Sequence, residues 1–133
     1  MNDIPGLISV ASRHSAADTL ARFIAQIEAR QLTLFAHIDH AAGARAVGLA
    51  LRATDLLLFG NARGGTPLMQ ARQTMGIDLP LKAIIFEDER GTAWLAYNDV
   101  RWLASRHDVP AEAEPALEKL SKLLESMANA VIA

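Results

Sequence analysis

Apolar and polar residues alternate along residues 7–12, L-I-S-V-A-S, which places Ile8 and Val10 on one face of a first strand. The period then changes. Leu20, Phe23, Ile24 and Ile27 recur at i, i+3, i+4 and i+7, an amphipathic helix face. Ser15 stands ahead of it as a cap, with Asp18 three residues on as a variant of the capping box. Residues 32–38 return to a strand. Leu34, Ala36 and Ile38 fall on one face, and Thr33, Phe35, His37 and Asp39 on the other. Ala-rich residues 41–47 predict a short helix, and residues 54–59 a strand ended by Gly60 and Asn61. Thr66 and Pro67 then open a helix to about Met75, because Thr caps well and Pro is tolerated at the first helical position.

Residues 81–87 and 92–97 read as two strands around Asp88-Glu89-Arg90-Gly91, a hairpin with a longer loop. A short helix follows at 99–107. A linker with Pro110 and Pro115 leads to a last helix, where Leu117, Leu120, Leu124, Met127 and Val131 make a 3-4-3-4 stripe. The order of elements predicts a single α+β domain with a mainly antiparallel sheet of about five strands packed on helices. Residues 1–109 form its body and residues 110–133 a C-terminal helix docked on it. The strands at 56–59, 83–86 and Trp94-Leu95 are apolar on both faces. Helices cover one sheet face. The other predicts a homodimer, with the C-terminal helix as the alternative cover.

Composition narrows the function. A chain of 133 residues that is 51% hydrophobic has enough apolar material for one core. It has no cysteine, so disulfides, thiolate nucleophiles and thiolate metal sites are excluded. Net charge is −2, which speaks against a nucleic-acid partner held by bulk attraction. Trp94 and Trp102 read as packing residues, since no basic stripe accompanies them. Arg outnumbers Lys ten to three, a coding bias that makes individual arginines poor markers of a site. The start M-N-D-I-P-G lacks the basic and apolar regions of a signal peptide, and no apolar run is long enough to span a bilayer. A cytoplasmic protein without a membrane partner is expected.

Candidate chemistry gathers where strands stop. His37, Asp39 and His40 end one strand; a carboxylate beside an imidazole orients a base or tunes a ligand. Two His and an Asp would also suffice for zinc or iron, but H-x-x-H is not the helical i, i+4 spacing of zincins. The competing reading is a strand-end histidine, with Asp39 capping the next helical turn. Asn61, Gly64, Gly65 and Thr66 end another strand in a Gly-rich turn that leaves N–H groups free for an anion. It is no Walker loop, because Gly65 stands where the lysine belongs. Its bland reading is a turn needing positive φ, closed by a helix cap. Lys82 and Tyr97 complete the polar inventory as a base, charge partner or hydroxyl donor. His14 and His107 read as helix-end residues. No catalytic signature and no cofactor motif is complete.

Four blocks in order carry a resemblance: F-A-H-I-D-H-A-A-G-A, L-R-A-T-D-L-L-L-F-G-N-A-R-G-G-T-P-L-M-Q, G-I-D-L-P-L-K and L-A-Y-N-D. Over about residues 6–107 the chain resembles the family called domain of unknown function 302. That family commonly has Pro after its Gly-Asn pair, where this chain has Ala62. The resemblance implies a small α+β domain with a sheet on helices, often dimeric, and implies no activity. The leading expectation is a homodimeric domain that binds a small polar or anionic ligand between His37–His40 and Asn61–Thr66. A His/Asp metal-binding protein or enzyme is the alternative, and a ligand-free interaction domain the second.

Overall fold

A computed structural model of the chain describes residues 4–133; Met1, Asn2 and Asp3 of the N-terminal stretch lie outside the described residues. Five strands, β1 (Leu7–Ser12), β2 (Thr33–Asp39), β3 (Thr54–Gly60), β4 (Leu81–Glu87) and β5 (Ala93–Asn98), form one sheet in the order β1-β5-β4-β3-β2. Every pairing is antiparallel. The helices are α1 (Ala16–Ala29), α2 (His40–Ala46), α3 (Ala62–Ala71), α4 (Val100–Arg106) and α5 (Glu114–Ile132). The α+β architecture predicted from the order of elements is therefore the observed one.

Helix α1 begins as its sequence dictates, with the Ser15 hydroxyl accepting from the Asp18 N–H at 3.0 Å. Its buried Phe23 and Ile27 meet Leu57, Phe59, Ala83, Ile85, Leu95 and Tyr97, all on one sheet face. The α5 stripe joins the same core through Leu117, Leu120, Leu124, Met127 and Val131. So α5 packs on the face that α1 already covers. The alternative in which the C-terminal helix shields the second face is thereby corrected.

That second face carries Ala36, Ile38, Leu56, Leu58, Ile84, Phe86, Trp94 and Ala96, aligned by the register across four strands. Among the described residues, none of these joins the cluster that α1 and α5 cover, and of the eight only Ala96, in the middle of the sheet, is fully buried. The apolar strands thus serve two faces, and the chain's own core uses one.

The β4–β5 hairpin is closed by a single side chain. The Asp88 carboxylate accepts from the N–H groups of Arg90 and Thr92 and from the Trp94 indole, at 2.9, 2.9 and 2.8 Å. The indole bond and then the Thr92 N–H hold its carboxyl below the usual carboxylate range. A carboxyl depressed on folding adds stability above its unfolded pKa, and that contribution fades as pH falls through the folded value. Asp88→Ala should therefore lower the melting temperature at pH 7, and the gap to wild type should narrow below about pH 4. A gap equal at pH 7 and pH 3 would show that the charge contributes nothing.

Candidate functional site

Strand β3 ends at Gly60, whose φ of 146° lies in a region that favours glycine. The chain then turns into α3 one helical turn earlier than Thr66 and Pro67 predict. Asn61 is the cap, its side-chain oxygen accepting from the Gly64 N–H at 2.8 Å. Thr66 and Pro67 sit inside the helix and face outward, and a separate 3-10 turn, Gln73–Ile77, replaces the predicted last turn. Asn outranks Thr as a cap, and the early start adds a helical turn that the Pro-centred reading forgoes.

Gly64 and Gly65 are accordingly helical residues, not a positive-φ turn. Glycine costs a helix interior about 0.8–1.0 kcal/mol against alanine. What it supplies is space. A Cβ at Gly64 would lie 3.1 Å from Leu120 Cδ2, and one at Gly65 would lie 3.4 Å from Leu79 Cδ1. The bare face of α3 looks into a cavity of about 610 Å³ between the end of β3, the segment before β4, the start of β2 and α5. Leu32, Phe35, Phe59, Met69, Leu79 and Leu123 make its walls apolar. Asn61, Arg63 and Lys119 bring the long polar side chains.

Phe35 reaches this wall through a β-bulge. Leu34 stands opposite Phe59 and Ala36 opposite Leu58, so Phe35 is the extra residue and strict alternation along β2 fails there. The predicted common face of Leu34, Ala36 and Ile38 is thus corrected: Leu34 pairs on the core side, and Ala36 and Ile38 on the open side.

The predicted site residues divide. Asn61, Gly64 and Gly65 line the cavity; Thr66, His37, Asp39, His40, Lys82 and Tyr97 do not. His37 bonds through Nε2 to Asp55 at 2.8 Å, the carboxylate of the neighbouring strand rather than Asp39. Asp39 is engaged in capping α2, accepting from the Ala42 N–H at 2.9 Å, while His40 opens that helix in solvent. The pocket expected between His37–His40 and Asn61–Thr66 is not formed. β2 and β3 are antiparallel, so the end of one lies beside the start of the other. Thr33 pairs with Gly60 at the cavity, and His37 stands four residues, roughly 13 Å, farther along. Lys82 is on the open face with its amine 3.3 Å from the Pro80 carbonyl. Tyr97 is a core residue whose hydroxyl is pushed up by burial, then by Glu125 and Asp99. The N–H groups of Leu68 and Met69, which a helix opening at Thr66 would offer to an anion, lie inside α3.

Two cationic cavity residues, Arg63 and Lys119, were not legible as site residues in the sequence. Arg63 is one arginine among ten, and Lys119 sits on the polar side of a helix stripe. A further cluster also forms only in three dimensions. His107 donates through Nε2 to the Asp78 carboxylate at 2.5 Å, its Nδ1 stands 2.9 Å from Thr74 Oγ1, and Arg106 donates to both Asp78 oxygens. The order hydroxyl, imidazole, carboxylate resembles a hydrolytic triad, yet none of these residues lines the cavity. It clasps the end of α4 to the 3-10 turn.

Residues 8–127 match the family described as "Domain of unknown function DUF302". The chain belongs to this family. The match takes in most of α5, which the four sequence blocks left out. A crystal structure of an uncharacterised DUF302 protein from Bacillus stearothermophilus superposes with a TM-score of 0.85 at 12% identity, covering 96% of this chain and 99% of that one. It shows that the DUF302 fold is shared. Among curated proteins, two described as "Fluoride-specific ion channel FluC 1", from Brucella suis and Brucella abortus, are each 43% identical over 115 residues. The aligned part is 86% of this chain but 45% and 43% of theirs. The DUF302 chain thus spans less than half the length of these relatives. No helix among the described residues is long and apolar enough to cross a membrane.

Proposed function

We propose that the chain is a small cytoplasmic ligand-binding domain that works as a homodimer and takes a small molecule bearing an anionic or polar group. The cavity carries this reading. Its volume of about 610 Å³ falls in the range of small-molecule sites, and it has apolar walls with few polar groups, the usual make-up of such sites. The open sheet face supports the dimer. Five strands about 4.8 Å apart and roughly 20 Å long give nearly 500 Å² of open, mostly apolar face per subunit, so two copies come to somewhat under about 1,000 Å², at the small end of protein interfaces. A second copy is the simplest cover, because two sheets pack face to face.

Ligand binding to the folded state alone adds about 2.7 kcal/mol of stability when ligand is a hundredfold above its Kd. A melting panel of inorganic anions, small carboxylates and larger organic acids should therefore contain compounds that raise the melting temperature beyond a chloride control. Gly65→Leu should abolish the rise, because its side chain starts 3.4 Å from Leu79 and 3.8 Å from Met69 and fills the cavity. It also removes a helical glycine, so the variant itself should melt no lower than wild type. A panel with no response, or a response that survives Gly65→Leu, would end this reading.

The Brucella relatives support a second reading, in which the domain serves a membrane ion channel. Their conducting path would then lie in the part that this chain does not match, since the described helices are too short or too polar to span. Deleting the gene in its own organism should reduce fluoride tolerance; unchanged tolerance would argue against the link.

A further inference from the structure

We infer that the ligand of this cavity is an amphipathic organic carboxylate, with its hydrocarbon body on the apolar walls and its head group between Arg63 and Lys119. This inference rests on the cavity being a binding site and adds the class of molecule. The first argument is size. A water's share of liquid volume is about 30 Å³, so a cavity of 610 Å³ is far larger than a phosphate or sulfate, which would leave the walls wet. The second is the character of those walls. Phe35, the bulge residue of β2, is 55% exposed and lines the cavity. Leu32, Phe59, Met69 and Leu79 face it around the same space. Removing these walls from water is favourable in proportion to the apolar area covered, a gain open only to a ligand with a hydrocarbon body.

The third argument is charge. Arg63 comes from the first turn of α3 and Lys119 from α5, and both line this cavity. Neighbouring charges on α5 are engaged: Glu118 holds Arg101 and Lys122, and Glu114 holds Arg101. Among the described residues, Arg63 and Lys119 have neither an ion-pair partner nor a side-chain hydrogen bond, and no carboxylate lines the cavity. Two free cations over an apolar chamber select an anionic head and reject a cationic one. The planar guanidinium matches a carboxylate with two parallel hydrogen bonds.

Calorimetric titration with octanoate, octanol, octylammonium, octyl phosphate and acetate tests the assignment on the full chain. Octanoate should bind at least about tenfold more tightly than each of the others. The double variant Arg63→Gln/Lys119→Gln should weaken octanoate by a similar factor and leave octanol unchanged, while melting like wild type. Octanol binding as well as octanoate, or octanoate binding untouched by the double variant, would overturn the charge assignment and leave the cavity reading standing. Acetate binding as tightly as octanoate would overturn the hydrocarbon body, and a preference for octyl phosphate would overturn the carboxylate head. If none of the five binds while other members of the melting panel act through a Gly65-sensitive site, this inference alone fails; if nothing acts there, both fail.

Discussion

Replacing Ile84 with aspartate should convert the proposed homodimer to a monomer at low micromolar concentration. Ile84 lies on the central strand β4, with Leu56 of β3 and Ala96 of β5 directly beside it on the open face. At the middle of a two-fold interface each new carboxylate would meet its own copy across the axis. Burying a charge without a partner costs several kcal/mol, and two like charges add repulsion. A flat interface near the lower size limit has little surplus to offset that. The fold of each subunit should survive, because Ile84 is not among the core residues that α1 and α5 cover. Sedimentation velocity should give twice the chain mass for wild type and for Ile84→Val, and the single mass for Ile84→Asp. A wild-type monomer would overturn the homodimer, and an Ile84→Asp dimer would move the interface off this face.

Phe59→Ala should cost about 3–5 kcal/mol of unfolding free energy, a large fraction of what a domain of this size has. Phe59 is fully buried and its ring stands edge-on to Phe23 at 5.1 Å and 73°, so truncation removes packing on both the β3 and α1 sides. The same residue lines the cavity, so the lost volume merges with a space that is already open and the site has little means to collapse. Phe35→Ala gives the contrast. It lines the same cavity but is more than half exposed, so it should cost well under 1 kcal/mol while weakening any hydrocarbon ligand. Urea unfolding without ligand checks both. Equal losses for the two variants would mean that Phe59 is no more a part of the core than Phe35.

Much of the fold was legible because it depends on local periods. The α1 face Leu20, Phe23, Ile24, Ile27 and the α5 stripe from Leu117 to Val131 specify helices, and alternation with turn residues specifies the strands and the β4–β5 hairpin. The apolar character of both sheet faces was likewise written in residues 56–59 and 83–86. The boundaries of α3 were not. Asn61 and Thr66 both cap well, and the choice between them is made by where the helix packs, with Gly64 against Leu120.

The candidate site needed the tertiary structure most. Sequence alone marked strand ends as places where polar groups collect, and that found Asn61, Gly64 and Gly65. It also drew His37 and Thr66 to one place, although neighbouring antiparallel strands finish at opposite ends of their shared ladder. Lys119 and Leu123, each more than fifty residues beyond Gly65, enter the cavity from α5, which no local pattern encodes. Local hydrogen-bond geometry and burial period act over a few residues and are written in order along the chain. Which distant side chains share a space is decided by packing, where the core closes around α1 and α5 and leaves one chamber between α3 and α5 unfilled.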